Sequence, residues 1–214
     1  LGSKSYIKYQ PLGTIGVISP WNFPVNLVLA PLAGIFAAGN RTMIKPSELT
    51  PATSEVTKKM FEAYFDKSEA AVFTGDAEVG AAFSALPFDH LLFTGGTQIG
   101  KKVMKAASEN LVPVTLELGG KSPVIVDEDA NLSEVAKKVM RGKTMNAGQI
   151  CLAPDYLMLP KGKGKEFADA SSDAIGEMFK DLKYNDDYTS VINERHYDRI
   201  NELVSDAKEK GAEV

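Results

Sequence analysis

Thr14-Ile15-Gly16-Val17-Ile18-Ser19, the turn Pro20-Trp21-Asn22-Phe23-Pro24, the apolar stretch 25–38 and then Gly39-Asn40-Arg41-Thr42-Met43-Ile44-Lys45 decide the fold. The first six residues are apolar and β-branched enough for a buried strand, and the prolines after them end it. Residues 25–38 contain Asn26, Pro31 and Gly34. They fall short of the ~20 residues that cross a bilayer, so they read as a buried helix. Gly39-Asn40 suits a left-handed helix end, and Thr42-Met43-Ile44-Lys45 is the next strand. Strand, helix, strand is the opening of an α/β chain with a mainly parallel sheet.

The alternation continues outward. Thr50-Pro51 supplies an N-cap and a first-turn proline for a helix to about residue 65, with Val56, Met60, Ala63 and Tyr64 as its inner face. A short strand at 70–74 follows, and Asp76 caps a helix over 77–86. A strand at 90–94 leads through Gly95-Gly96-Thr97 into a helix over 98–110, whose apolar face is Ile99, Val103, Met104 and Ala107. The strand 114–118 closes this series. After Gly119-Gly120 the pattern restarts with a strand at 122–127, and Asn131-Leu132-Ser133-Glu134 is a capping box opening a helix to about 145. A strand at 155–159, a helix over 164–179 and an amphipathic helix over 196–210 complete the chain. The last helix is expected to bury Ile200, Leu203, Val204 and Ala207. Lys161-Gly162-Lys163-Gly164-Lys165 reads as a solvated turn.

With 44% hydrophobic residues in 214, the chain has ample material for a core, and a formal charge of −4 with no basic block excludes a nucleic-acid partner. No membrane span is expected. The N-terminus Leu1-Gly2-Ser3-Lys4-Ser5 has neither an initiator Met nor a signal-peptide apolar region, so the chain reads as an internal piece of a longer enzyme. A single cysteine, Cys151, forms no intrachain disulfide and no zinc site by itself. It favours a reducing, cytoplasmic setting and reads as a nucleophile. Glu117, in Leu116-Glu117-Leu118-Gly119-Gly120-Lys121, and Asn22, between Trp21 and Phe23, add a carboxylate and a carboxamide. Thiol, carboxylate and carboxamide are what covalent aldehyde oxidation requires: an attacking group, a proton acceptor and an oxyanion donor. A cysteine hydrolase would need a histidine beside the thiol. The only two, His90 and His196, read as structural or surface residues.

Pro20-Trp21-Asn22-Phe23-Pro24, Lys45-Pro46-Ser47-Glu48, Phe93-Thr94-Gly95-Gly96-Thr97, Leu116-Glu117-Leu118-Gly119-Gly120-Lys121 and Gly148-Gln149-Ile150-Cys151 follow one another here. Their order and spacing resemble the aldehyde dehydrogenase superfamily over nearly the whole chain. Asn26-Leu27 to Asn40-Arg41 and Cys151-Leu152-Ala153-Pro154-Asp155-Tyr156 look most like coniferyl aldehyde dehydrogenases and the related class-3 branch.

That resemblance implies an α/β, Rossmann-like, mainly parallel cofactor domain over 1–118, lacking its N-terminal part, and the first part of an α/β catalytic domain over 119–214. It implies that Cys151 attacks the aldehyde, Glu117 is the general base, and Asn22 donates to the oxyanion beside the Cys151 backbone N–H, the three sharing one pocket. Lys45 and Glu48 resemble the pair that holds the adenosine ribose; Glu48 favours NAD over NADP, and Lys45 leaves NADP possible. Gly95, Gly96 and Thr97 would set a helix N-terminus near the pyrophosphate, although many family members carry a serine where Gly96 stands. Ile18 and Trp21 would line the cofactor cleft, and Lys121 would play a supporting part.

The implied substrate is a small aldehyde, coniferyl or another aromatic one first. The implied assembly is a homodimer or homotetramer, and no metal is implied. The family's nicotinamide-ribose glutamate falls in a motif beyond Val214, so the chain alone is expected to be inactive. Two alternatives stand beside this reading: an acylating, coenzyme A-dependent dehydrogenase, against which a general base at Glu117 argues, and a non-catalytic protein that keeps the fold.

Overall fold

The computed structural model describes residues 2–213, and the chain divides between Gly119 and Gly120 into two compact units. The first contains β1 (Thr14–Ile18), α1 (Asn26–Ala37), β2 (Arg41–Lys45), α2 (Pro51–Tyr64), β3 (Ala70–Val72), α3 (Ala77–Ser84), β4 (His90–Thr94), α4 (Thr97–Ser108) and β5 (Val114–Glu117). The strands form one five-stranded sheet in the order β3-β2-β1-β4-β5, and every pairing is parallel. This is the expected α/β, Rossmann-like arrangement.

A parallel sheet has to be covered on both faces, and two apolar clusters do this. Ile15, Val17, Val28, Leu32, Ile44, Phe61, Ala70 and Val72 pack under α1 and α2. Phe83, Phe88, Leu91, Phe93, Val103, Ala107 and Val112 pack under α3 and α4, joined by Ile18. Strand alternation explains the division within β1, since Ile15 and Val17 face one cluster while Gly16 and Ile18 face the other. A Cβ on Gly16 would come within 2.7 Å of both Leu91 and Phe88, so only glycine fits there. Gly39 takes φ +79 at the end of α1, as its sequence position suggests. Asn40 then ties that end to the entry of β1, its Oδ1 accepting from the Leu12 and Gly13 N–H groups at 2.7 and 3.0 Å.

Two helix faces differ from expectation. On α2 the buried residues are Ser54, Thr57 and Phe61, while Val56 is 66% and Tyr64 81% exposed and Met60 is also exposed. The helix is turned so that Phe61 and Phe65 stack at 5.0 Å between ring centres, and Phe36 joins Phe65 at 5.3 Å. Stacked rings bury more apolar area than the Val56 stripe offers. Thr50 precedes Pro51 at the N-terminus of α2, but its side chain makes no capping bond. On α4, Gly100, Val103 and Ala107 are buried, whereas Ile99 and Met104 are exposed. Gly100 sets that rotation, because the Leu118 side chain lies 2.9 Å from where its Cβ would be.

The second unit contains β6 (Ser122–Ile125), α5 (Leu132–Thr144), a short 3-10 turn (Met145–Gly148), β7 (Pro154–Met158), α6 (Gly164–Met178) and α7 (Glu194–Glu209). β6 and β7 pair in parallel across α5. Val126, Leu132, Ala136, Val139 and Phe167 make the core between this pair and helices α5 and α6. Asn131 caps α5 by accepting from the Glu134 N–H at 3.2 Å, one half of the expected capping box. α7 starts at Asn193, whose side chain accepts from the His196 N–H.

The expected burial of the α7 face does not occur. None of its residues is buried, and Ile200, Leu203 and Val204 are exposed. The 3.6-residue period is present in the sequence, but among the described residues of the unit no other element packs closely along this helix. Among the described residues no helix is long and apolar enough to cross a membrane.

Candidate active site

In the first unit the candidate residues gather at one edge of the sheet. Ile18 ends β1, with Trp21 and Asn22 in the turn after it; Lys45 ends β2, with Glu48 in the following loop; Gly95, Gly96 and Thr97 follow β4; Glu117 ends β5. Since all strands run the same way, every one of these positions lies at the carboxyl edge. The strand order reverses between β1 and β4, which is where open parallel sheets leave a crevice for ligands. Ile18 sits across that reversal, in register with Lys45 on one side and Phe93 on the other. Trp21 and Asn22 are both half-buried beside it.

Lys45 is only 3% exposed, and its Nζ donates to the Glu48 carboxylate at 2.9 Å and to the Pro46 carbonyl at 3.1 Å. Partial burial pushes the Glu48 carboxyl up, but bonds from its own backbone N–H and from Lys45 outweigh this, so it sits below the usual glutamate range. The loop is held from beneath by Ser54, whose Oγ donates to the Ser47 carbonyl at 2.8 Å. That bond explains a hydroxyl on the buried face of α2. Nearby, Ser19 is 4% exposed and its Oγ has no partner, leaving a buried hydroxyl unsatisfied at the crevice end of β1. Sequence reading passed over both serines.

At β4, Gly96 is the N-cap residue of α4 in extended backbone, and a Cβ there would meet nothing within 4 Å. Gly95 has no such freedom, because the Phe93 ring lies 2.6 Å from its would-be Cβ. The helix start presents backbone N–H groups without intrahelical partners, the usual setting for an anion. Glu117 accepts the Gly95 N–H through its backbone carbonyl at 3.0 Å. Its side chain is exposed, whereas Leu116 and Leu118 turn inward to the α4 side. The apolar neighbours in sequence therefore do not enclose the carboxylate, because strand alternation sends them to the opposite face.

Cys151 belongs to the second unit, and its thiol is free and exposed. It occupies the second position of a turn closed by the Ala153 N–H on the Ile150 carbonyl at 3.1 Å, just before β7. Ahead of it, Asn146, Ala147 and Gly148 take φ values of 50, 53 and 72 in succession, a left-handed turn that alanine adopts only under strain. Gly120 packs against this segment, and a Cβ there would stand 3.3 Å from the Cys151 carbonyl oxygen. Lys121, expected in a supporting part, pairs with Asp155 at the start of β7.

The two histidines lie on different elements. His90 Nε2 shares a 2.8 Å bond with the Thr115 hydroxyl on the neighbouring strand. His196 lies on α7, held below its ordinary pKa by desolvation and by Arg199 and Arg195. Among the described residues no cluster of histidine, cysteine or carboxylate groups is suited to a metal. A depression of about 310 Å³ is lined by residues such as Phe61, Phe65 and Phe73, and another of about 400 Å³ lies near Phe36 and Tyr64. No candidate residue borders either of them.

Comparisons with known proteins identify the family. The model of the aldehyde dehydrogenase family matches residues 1–214. A probable coniferyl aldehyde dehydrogenase of Caulobacter vibrioides is 59% identical over 213 residues, covering 100% of this chain and 44% of that protein. Among solved structures, substrate-bound Staphylococcus aureus AldH superposes with a TM-score of 0.88 at 44% identity, over 95% of this chain and 44% of its own. A Pseudomonas syringae aldehyde dehydrogenase C mutant in complex with NAD+ and octanal gives a TM-score of 0.86 at 28% identity, over 95% of this chain and 43% of its own. The chain thus spans a little under half the length of the proteins it matches, and over that span it belongs to the aldehyde dehydrogenase family.

Proposed function

We propose that the chain supplies the dinucleotide-binding edge and the nucleophile of an aldehyde dehydrogenase that converts aldehyde, NAD+ and water to carboxylate, NADH and two protons. The observation that carries this is the gathering of Ile18, Trp21, Asn22, Lys45, Glu48, Gly95, Gly96, Thr97 and Glu117 at one carboxyl edge, around the reversal of strand order. The residues fit a dinucleotide. A buried ammonium and a depressed carboxylate suit ribose hydroxyls, an open glycine helix start suits a phosphate, and the unsatisfied Ser19 hydroxyl is left for a further polar group. The Glu48 charge repels a 2′-phosphate and favours NAD, while Lys45 keeps NADP in play. A relative solved with NAD+ supports the same choice.

The Cys151 thiolate attacks the carbonyl carbon, forming a C–S bond and an alkoxide. Asn22 donates its side-chain N–H to that oxygen. NAD+, when bound, supplies the hydride acceptor that turns the thiohemiacetal into a thioester. Glu117 then takes a proton from water, whose oxygen bonds to the thioester carbon as the C–S bond breaks, and the carboxylate leaves with the thiolate restored. Residues 1–118 thus serve cofactor binding and 119–214 open the catalytic domain. By similarity to the Caulobacter protein, the substrate is an aromatic aldehyde of the coniferyl type. The setting is cytoplasmic and the assembly a homodimer or homotetramer.

The test is an aldehyde panel with NAD and NADP on the full-length protein carrying this chain, beside Cys151→Ser. Dehydrogenase activity that disappears in Cys151→Ser supports the reading. NADH formation unaffected by that change, or none with any aldehyde, rejects it.

A further inference from the structure

Gln149, two residues before Cys151, has both ends of its carboxamide engaged. Its Nε2 donates to the Asn146 carbonyl at 2.9 Å and to the Ser190 carbonyl at 3.1 Å, and its Oε1 accepts from the Ile192 N–H at 3.0 Å. Asn146 answers through its own Nδ2 to the Gln149 carbonyl at 3.4 Å, while the Gln149 N–H also reaches the Asn146 carbonyl at 3.0 Å. The side chain therefore does two jobs. It closes the left-handed turn 146–148 and fastens that turn to a segment more than forty residues later in the chain, between α6 and α7.

This matters for the thiol because the turn is strained. Asn146 and Ala147 both lie in the left-handed backbone region, which an alanine leaves unless something holds it. Cys151 follows directly, on an exposed turn closed by the Ala153 N–H on the Ile150 carbonyl. A glutamate of the same shape keeps the acceptor for Ile192 but loses both N–H donors, and sets a negative charge against two carbonyl oxygens.

We propose that Gln149 is the positioning residue of Cys151, holding the backbone from which the sulfur projects by clamping the 146–148 turn to residues 190–192. The proposal rests on Cys151 being the nucleophile, and one arm of its test does not need turnover. In the full-length protein, Gln149→Glu and Gln149→Ala are compared with wild type for kcat, the KM for NAD and the rate of Cys151 alkylation by iodoacetamide. A shift of about 1 Å in a reacting group costs up to ~100-fold. The expected result is a kcat fall of about 10- to 100-fold, an unchanged KM for NAD, and slower alkylation. The deficit is expected to be larger in Gln149→Glu than in Gln149→Ala, because the carboxylate adds repulsion from the Asn146 and Ser190 carbonyl oxygens to the lost donors.

Wild-type kcat and alkylation rate in the folded variants, or a lowered kcat with a wild-type alkylation rate, overturn the proposal. If wild type turns over no aldehyde, the Proposed function fails while the alkylation arm still decides this one. Should both variants fail to fold, amide hydrogen exchange in wild type decides: protection of the Ile192 N–H is expected, and exchange as fast as an open loop overturns the clamp.

Discussion

Glu48 illustrates how a local bond becomes a measurable preference. Its carboxyl is held below the ordinary glutamate range by its own backbone N–H and by Lys45. A depressed carboxylate adds stability that is present above the unfolded value of about 4.3 and is lost as pH falls through the lower folded value. The chemical-denaturation midpoint of wild type is therefore expected to exceed that of Glu48→Gln at neutral pH, and the two are expected to converge on acidification below about pH 4. A constant gap across that range contradicts the linkage. The same substitution removes the charge that opposes a 2′-phosphate, so the ratio of kcat/KM for NADP over NAD rises in Glu48→Gln; an unchanged ratio refutes the ribose role. Asn22→Ala is expected to lower kcat by ~10²–10³, the usual cost of one oxyanion donor, and a kcat within twofold of wild type removes Asn22 from the chemistry.

At the level of elements, α2 gives the sharpest contrast between pattern and packing. Phe61 is 2% exposed and stacks on Phe65, whereas Val56 is 66% exposed. Phe61→Ala is expected to cost ~3–5 kcal/mol, and Val56→Ala to stay within about 0.5 kcal/mol. Equal losses in thermal denaturation would restore the Val56 face as the inner one. On α4, Gly96→Ser fits the open N-cap and adds a capping oxygen, so stability rises by a few tenths of a kcal/mol; a loss shows that the cap is already crowded. Strands and helix order were readable from the sequence because prolines, glycines and caps such as Asp76 and Asn131 mark the ends of elements. Which face of α2, α4 or α7 turns inward was not. Periodicity ranks faces by hydrophobicity, while Gly100 against Leu118, the Phe36–Phe65–Phe61 stack and the absence of a packed neighbour along α7 act between elements. The site was legible as a set of motifs. The Ser54 support, the orphaned Ser19 hydroxyl and the Gln149 bonds depend on contacts far apart in the chain, which no spacing reveals.

Taken whole, the molecule divides its proposed labour between two units. The first gathers the ends of four strands, β1, β2, β4 and β5, at the edge proposed for the dinucleotide, and the second carries an exposed thiol on a short turn behind a strained one. The chain spans 44% of its Caulobacter relative, so activity is to be measured in the full-length protein. The most direct measurement is mass spectrometry of the Cys151 peptide from a full-length Glu117→Gln variant mixed with aldehyde and NAD+. Loss of the proton acceptor slows hydrolysis, so an acyl group oxidised to the thioester level is expected to accumulate on that sulfur, with one NADH released per group trapped. An unmodified Cys151 in a variant that still turns over, or acylation at any other residue, contradicts aldehyde oxidation through this thiol.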